Sequence, residues 1–141
     1  MGVDAPPGQQ TRPHADLDLA VDAAALDRLL ARLGADGYTV LRDEPPVAIA
    51  VRHDDGREVD LHPVALTPDR GGDQQQPGDA LPWHYGPPTT GHIDGRPVPY
   101  NRLDTQLRAH LGYPPDENDH ADMRVLARRF GCPLPPPYDQ H

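Results

Sequence analysis

Asp16 and Asp18 stand two residues apart in the segment DLDLAV, and Asp60 sits between Val59 and Leu61 in EVDLHP. In an extended strand successive side chains point to opposite faces, so residues at i and i+2 share a face with Cα atoms about 6–7 Å apart. Asp16, Asp18 and Ala20 would then line one face and Leu17, Leu19 and Val21 the other. Two like charges held that close call for a cation, and an all-oxygen donor set favours Mg²⁺ or Mn²⁺ over zinc. Mg²⁺ is commonly held by one or two carboxylates together with substrate phosphate oxygens, which a nucleoside triphosphate supplies. Val59 and Leu61 turn Asp60 to the polar face of a neighbouring strand, where it can serve as the third carboxylate of a phosphoryl- or nucleotidyl-transfer centre, bridging metals or acting as base. An isolated DLD repeat is usually a solvated strand face. This one is followed by a helix and then by a hairpin whose second strand carries another Asp flanked by apolar residues.

The elements that must position these carboxylates are legible in the pattern. After the strand from Asp16 to Val21, Asp22 can cap a helix with Leu26, Leu29, Leu30 and Leu33 at i, i+3, i+4 and i+7, and Gly34 is expected as its left-handed stop. Three apolar runs follow, Tyr38 to Leu41, Val47 to Val51 and Val59 to Val64. Pro45-Pro46 parts the first two, and Asp54-Asp55-Gly56 parts the last two as the tip of a hairpin. Pro68 to Thr90 is rich in Gly, Pro, Gln and Asp and reads as a long surface loop, with an edge strand around Trp83. A turn at Asp94-Gly95 separates two short strands. Asn101 can then cap a helix carrying Leu103, Leu107 and Leu111, and a last helix is expected from about Asp119, with Met123, Leu126, Ala127 and Phe130 on one stripe and Gly131 ending it. The Pro-rich tail from Pro133 is expected to lie along the surface in extended form. The order predicts an α+β fold, a mixed or antiparallel sheet with helices packed on one side. A single domain spanning 1–141 is expected, with the sheet core and site in 1–100 and the C-terminal helices and tail in 101–141.

Composition narrows the partners. The chain has 141 residues, 19 Pro, 13 Gly and a formal charge of -9, which argues against nucleic acid because phosphate binding needs a basic footprint. An acidic surface suits a cationic small molecule instead, and also simply keeps a protein soluble. With Cys132 as the one cysteine no intramolecular disulfide can form. No stretch approaches the roughly 20 apolar residues of a membrane span, and the N-terminus lacks a secretory pattern. A cytoplasmic protein without a membrane partner is therefore expected.

The segment GVDAPPGQQTRPHADLDLAV resembles the aminoglycoside and lincosamide nucleotidyltransferases, through Gly2, Val3, Asp4, Ala5, Gly8, Thr11, Arg12, His14, Asp16, Leu17 and Asp18. REVDLHPV, TGHIDGRPVPY, QLRAHLGY and DMRVLARRFGCPLPPPY are similar to further blocks of that family, so the likeness runs over nearly the whole chain. It implies Mg²⁺-dependent transfer of a nucleoside monophosphate, usually AMP from ATP, to a hydroxyl of a small antibiotic acceptor, with release of pyrophosphate. Asp16 and Asp18 would hold Mg²⁺ and the triphosphate, and Asp60 would be the base that takes the hydroxyl proton. Gly2 would be the last glycine of a Gly-Gly turn against the triphosphate, Arg12 would neutralise phosphate charge, and His14 would touch the triphosphate or the metal. The rest of that turn would precede Gly2, and Pro6-Pro7 replaces apolar helix residues. Either the chain starts short of the turn, or it is a shortened relative that binds a ligand or partner with little or no turnover. A metal-dependent phosphohydrolase using the same carboxylates is a third reading.

Other residues carry two readings each. His62, at i+2 from Asp60, could sit at the mouth of the site or be an ordinary surface histidine. Trp83 and Tyr85 could stack on a sugar or nucleobase, or pin a loop to the core. Asp94 and Asp119 could meet ammonium groups of an acceptor, although Asp94 beside Gly95 is also turn chemistry. The remaining histidines have no zinc-ligand spacing.

Overall fold

A computed structural model of the chain describes residue 10 and residues 12–44 and 47–139. Gly2 and the Pro45-Pro46 break lie outside the described residues. In order, the elements are β1 (Asp16–Asp22), a 3-10 turn (Ala23–Ala25), α1 (Leu26–Ala35), β2 (Tyr38–Glu44), β3 (Ala48–His53), β4 (Glu58–Leu66), β5 (Gly72–Gln74), β6 (Trp83–Tyr85), β7 (Thr89–Ile93), β8 (Arg96–Tyr100), α2 (Leu103–Ala109) and α3 (Glu117–Phe130). This is the α+β class expected. Strands β2-β3-β4-β5-β6 pair antiparallel in that order, while β1 pairs parallel with β4, so the six-stranded sheet is mixed. The chain falls into two compact units, one built on His14–Pro87, the other on the chain from Pro88 together with the stretch that ends at Pro13.

In the first unit the apolar alternation of β1, β3 and β4 packs against α1. Ile49, Val51, Val59 and Leu61 are buried and are covered by Leu17, Val21, Leu26, Leu29, Leu30, Leu33 and Tyr38. Burying each such side chain is worth roughly 1.5–3 kcal/mol, which fixes the register because a one-residue slip would send every one of them to the opposite face. Asp22 caps the 3-10 turn, accepting from Ala24 N at 3.0 Å, and not α1 as expected, whose cap position is Ala25. The stop expected at Gly34 falls later. Gly34 stays inside α1, and Gly37 takes the left-handed conformation at φ 93°. Residues 33 to 36 can continue the helix, whereas Tyr38 must already enter β2.

The segment from Pro68 to Thr90 is not one long loop. β6 is the edge strand expected around Trp83, but β5 lies between it and β4. Gly71 and Gly72 permit this: a Cβ on Gly71 would come 2.1 Å from Tyr85 O, and one on Gly72 would come 2.7 Å from Val64 Cγ2.

The second unit contains the β7–β8 hairpin, whose turn has Asp94 at φ 49° and Gly95 at φ 72°, the left-handed pair of a type I′ turn. Its core is Met123, Leu126 and Tyr138, packed by Leu103, Leu107, Val125 and Leu134. Two helix starts differ from expectation. Arg102, not Asn101, is the cap position of α2, and α3 begins after Asp116. Asp116 accepts from Asp119 N while Asp119 accepts from Asp116 N, both at 2.9 Å, a reciprocal capping box that satisfies two otherwise orphaned donors. Gly131 ends α3 in the left-handed conformation, as expected. The tail does more than follow the surface. Tyr138 is buried, with its hydroxyl donating to His110 O at 2.7 Å, because a large ring gains by burial once its polar tip has a partner. Among the described residues no helix is long and apolar enough to cross a membrane.

Candidate active site

The parallel pairing of β1 with β4 sets Asp16 beside Glu58, Asp18 beside Asp60 and Ala20 beside His62. Side chains paired across a ladder share a face, and the neighbouring positions Leu17, Val59 and Leu61 occupy the face under α1. Asp16, Asp18 and Asp60 therefore emerge together on the opposite face. The geometry brings them from two adjoining strands onto one surface, with Glu58 as a fourth carboxylate that the sequence did not single out.

Like charges this dense are met in the fold by hydrogen-bonding partners. Arg42 Nη2 donates to Asp60 Oδ2 at 3.1 Å, His62 Nε2 lies 3.1 Å from Asp18 Oδ1, and Arg52 Nε donates to Glu58 Oε1 at 2.6 Å. The hydrogen bond from His62 is the main reason that the Asp18 carboxyl is held below its usual range. Partial burial opposes it, and the charges of His62 and His14 add to it. His14 thus bears on Asp18 electrostatically, and His62 touches it directly.

Arg12 is placed elsewhere. Its Nε and Nη2 donate to both oxygens of Asp122 on α3, at 2.8 and 2.7 Å, inside the second unit. Asp119 is spent in the capping box and accepts from Tyr113 Oη at 2.9 Å, and Asp94 forms the hairpin turn. These contacts give both aspartates structural work. Trp83 and Tyr85 meet edge-to-face with ring centroids 6.4 Å apart. Burial raises the Tyr85 phenol pKa, and so does the charge of Asp18.

Besides Glu58, two more residues escaped the sequence reading. Gln74, nearly fully buried on β5, bonds to Val47 O, to His62 and to Tyr85. Arg42 reaches Asp60 only because of an irregularity in β2, between Val40 and Arg42. The polar run around Gln74 carries no periodic signal, and a bulge has no sequence signature here.

The donor set of Asp16, Asp18 and Asp60, oxygen only and on one face, has the chemistry of a Mg²⁺ or Mn²⁺ site. Among the described residues no three His, Cys, Asp or Glu side chains are drawn together as a ready metal cluster. Asp18 and Asp60 are instead turned toward His62 and Arg42.

Known proteins share this architecture and sequence. A family model described as aminoglycoside-2''-adenylyltransferase matches residues 1–126. A lincosamide resistance protein of Staphylococcus haemolyticus is 30% identical over 127 residues, covering 89% of this chain and 78% of that protein. Among solved structures, a lincomycin-bound lincosamide antibiotic adenylyltransferase, LnuA, superposes with a TM-score of 0.77 at 27% identity, over 89% of this chain and 80% of its own. ANT(2'')-Ia in complex with adenylyl-2''-tobramycin superposes with a TM-score of 0.65 at 19% identity, over 90% and 74%, a likeness of fold alone. By sequence and by architecture, the chain belongs to the aminoglycoside-2''-adenylyltransferase family of nucleotidyltransferases.

Proposed function

We propose that this chain transfers AMP from ATP to a hydroxyl of a lincosamide-like or aminoglycoside-like acceptor and releases pyrophosphate. The observation that carries this reading is the in-register pairing of Asp18 with Asp60 on the face that α1 leaves uncovered. Asp16 and Asp18 would hold Mg²⁺ or Mn²⁺, with Asp60 as a further ligand, and such an ion would offset charge on the triphosphate and on the departing pyrophosphate. Asp60 takes the proton of the acceptor hydroxyl as its oxygen bonds to the α-phosphorus and the bond to pyrophosphate breaks. Arg42 holds Asp60 and His62 holds Asp18, each by a hydrogen bond to one carboxylate oxygen. His14, two residues ahead of Asp16, adds positive potential for the triphosphate. The net charge of -9 favours approach of a cationic acceptor.

The test is incubation of the full chain with ATP and Mg²⁺ in the presence of lincomycin or tobramycin, followed by mass spectrometry. A product heavier by one adenylyl group, with pyrophosphate rather than orthophosphate released, is expected. Absence of any adenylylated product, with ATP binding intact, would leave a binding protein without turnover.

A further inference from the structure

Gln74 has 5% of its surface exposed, yet every polar atom of its carboxamide is engaged. Oε1 accepts from Tyr85 Oη at 2.7 Å, and Nε2 donates to Val47 O at 2.7 Å while lying 3.2 Å from His62 Nδ1. The backbone carbonyl of Val47 can only accept, so it sets which end of the amide faces it, because the reversed amide would bring two acceptors together. With Nε2 so placed, the atom facing His62 is a donor without a lone pair to offer, and His62 Nδ1 must be the acceptor. The ring hydrogen then sits on Nε2, the nitrogen 3.1 Å from Asp18 Oδ1. Four residues from four strands thus form one directed chain of hydrogen bonds, from Tyr85 through Gln74 and His62 to Asp18.

We infer that Gln74, held by Tyr85 and Val47, is a positioning residue that orients His62 so that its Nε2–H is given to Asp18 Oδ1. This rests on the reading of Asp18 as a carboxylate of the nucleotide site. A tethered Oδ1 confines Asp18 to one rotamer and leaves Oδ2 free to face the triphosphate and its cation. Such an outer partner usually matters by about 10- to 100-fold in activity or metal affinity. Gln74 is placed for this by Gly71, just before β5, and Gly72, its first residue, and the diagonal relation of Gln74 and Tyr85 across β5 and β6 puts both on one face.

The experiment uses the full chain, the variants Gln74→Glu and Tyr85→Phe, and two independent readouts. At one fixed pH, ring ¹⁵N–¹H correlation spectra of the unmodified chain should show His62 Nδ1 as an unprotonated nitrogen and Nε2 as a protonated one. A hydrogen on Nδ1 overturns the inference. Gln74→Glu replaces the donor with an acceptor, so Nδ1 should gain a hydrogen while Nε2 keeps its own. In adenylyl transfer, Gln74→Glu should lower kcat by about 10- to 100-fold and raise KM for ATP, leaving KM for the antibiotic unchanged, with a smaller loss in Tyr85→Phe. General loosening of the fold would move both KM values and the melting curve together. If the unmodified chain makes no product, the proposed function fails and the ring spectra still decide the hydrogen-bond chain. If the unmodified chain is active and both variants match it, the positioning role fails alone.

Discussion

Arg42 Nη2 lies 3.1 Å from Asp60 Oδ2 although the whole of β3 separates their strands. Val40 pairs with Val51 on the apolar face, and one extra residue, Leu41, then shifts the register so that Arg42 pairs with Ala50 on the carboxylate face. A bulge re-aims a side chain in this way, and the small Ala50 between them leaves the guanidinium room to cross to Asp60. An ion pair with half of the Arg42 side chain exposed contributes only about 0–1 kcal/mol. Its consequence is therefore competition, since Arg42 and a divalent cation want the same oxygens. Arg42→Met should barely move the melting temperature while tightening Mg²⁺ binding by up to roughly fivefold, the equivalent of ~1 kcal/mol. Calorimetric titration with Mg²⁺ checks this, and weaker binding in the variant would show that Arg42 assists the cation.

Asp60→Asn keeps the shape of the side chain and removes its capacity to accept a proton. If Asp60 is the base, product formation should fall by about 10²- to 10⁴-fold with the circular dichroism spectrum unchanged. Asp18→Asn should instead raise KM for ATP as well as lowering kcat. An Asp60→Asn enzyme within a few-fold of the unmodified rate would remove the base assignment.

The parts of this site that follow a period could be read from the sequence, and the parts set by irregular backbone could not. Asp16, Asp18 and Asp60 are each flanked by apolar residues, so two-residue alternation alone places them on one surface once a core is assumed. Arg42 is invisible to that logic, because a single bulge inverts which face an even-numbered residue occupies. Gln74 lies in a polar stretch with prolines and glycines, and its importance comes from partners on β4, on β6 and in the turn before β3. α3 starts earlier than the expected Asp119 for a related reason: Asp116 and Asp119 are both good capping residues, and their reciprocal bonds, not their types, decide which is the cap.

Gly72 tests the packing that brings β5 to the sheet. A methyl group there would stand 2.7 Å from Val64 Cγ2, and Val64 is itself buried, so the strand must shift or Val64 must leave its position. Gly72→Ala should cost about 1–3 kcal/mol, read as a lowered urea midpoint. Because Gln74 is two residues along the same strand, adenylyl transfer should drop with it. A Gly72→Ala protein as stable as the unmodified chain would mean that β5 sits more loosely against Val64.

His84 ties β6 to β5 and to the loop before it, with Nδ1 2.6 Å from Asp73 Oδ1 and Nε2 3.1 Å from Asp69 Oδ2. Hydrogen bonds first to Asp73 and then to Asp69 raise its pKa above the usual 6.5. A raised value in the folded state means that this contribution is fully present below the unfolded value and fades as pH climbs through the folded one. The melting temperature of the unmodified chain, relative to His84→Gln, should therefore decline as pH rises above about 6.5. Parallel melting curves across that range would show that the imidazole gains nothing from its two carboxylates.

Arg12 and Asp122 present the opposite balance. The carboxylate side chain is only 6% exposed, and both of its oxygens are taken by one guanidinium fork at 2.7 and 2.8 Å. Removing the arginine leaves the Asp122 carboxylate in surroundings that cannot solvate it, so Arg12→Ala should lose about 3–5 kcal/mol. Replacing both members with apolar residues removes the stranded charge, and the double variant Arg12→Met with Asp122→Leu should regain most of that loss. Urea denaturation of the single and double variants measures it. The same pair separates two roles for Arg12. If its work is to fasten the N-terminal stretch to α3, the double variant should recover adenylyl transfer along with stability. If Arg12 serves the triphosphate, stability returns while KM for ATP stays high.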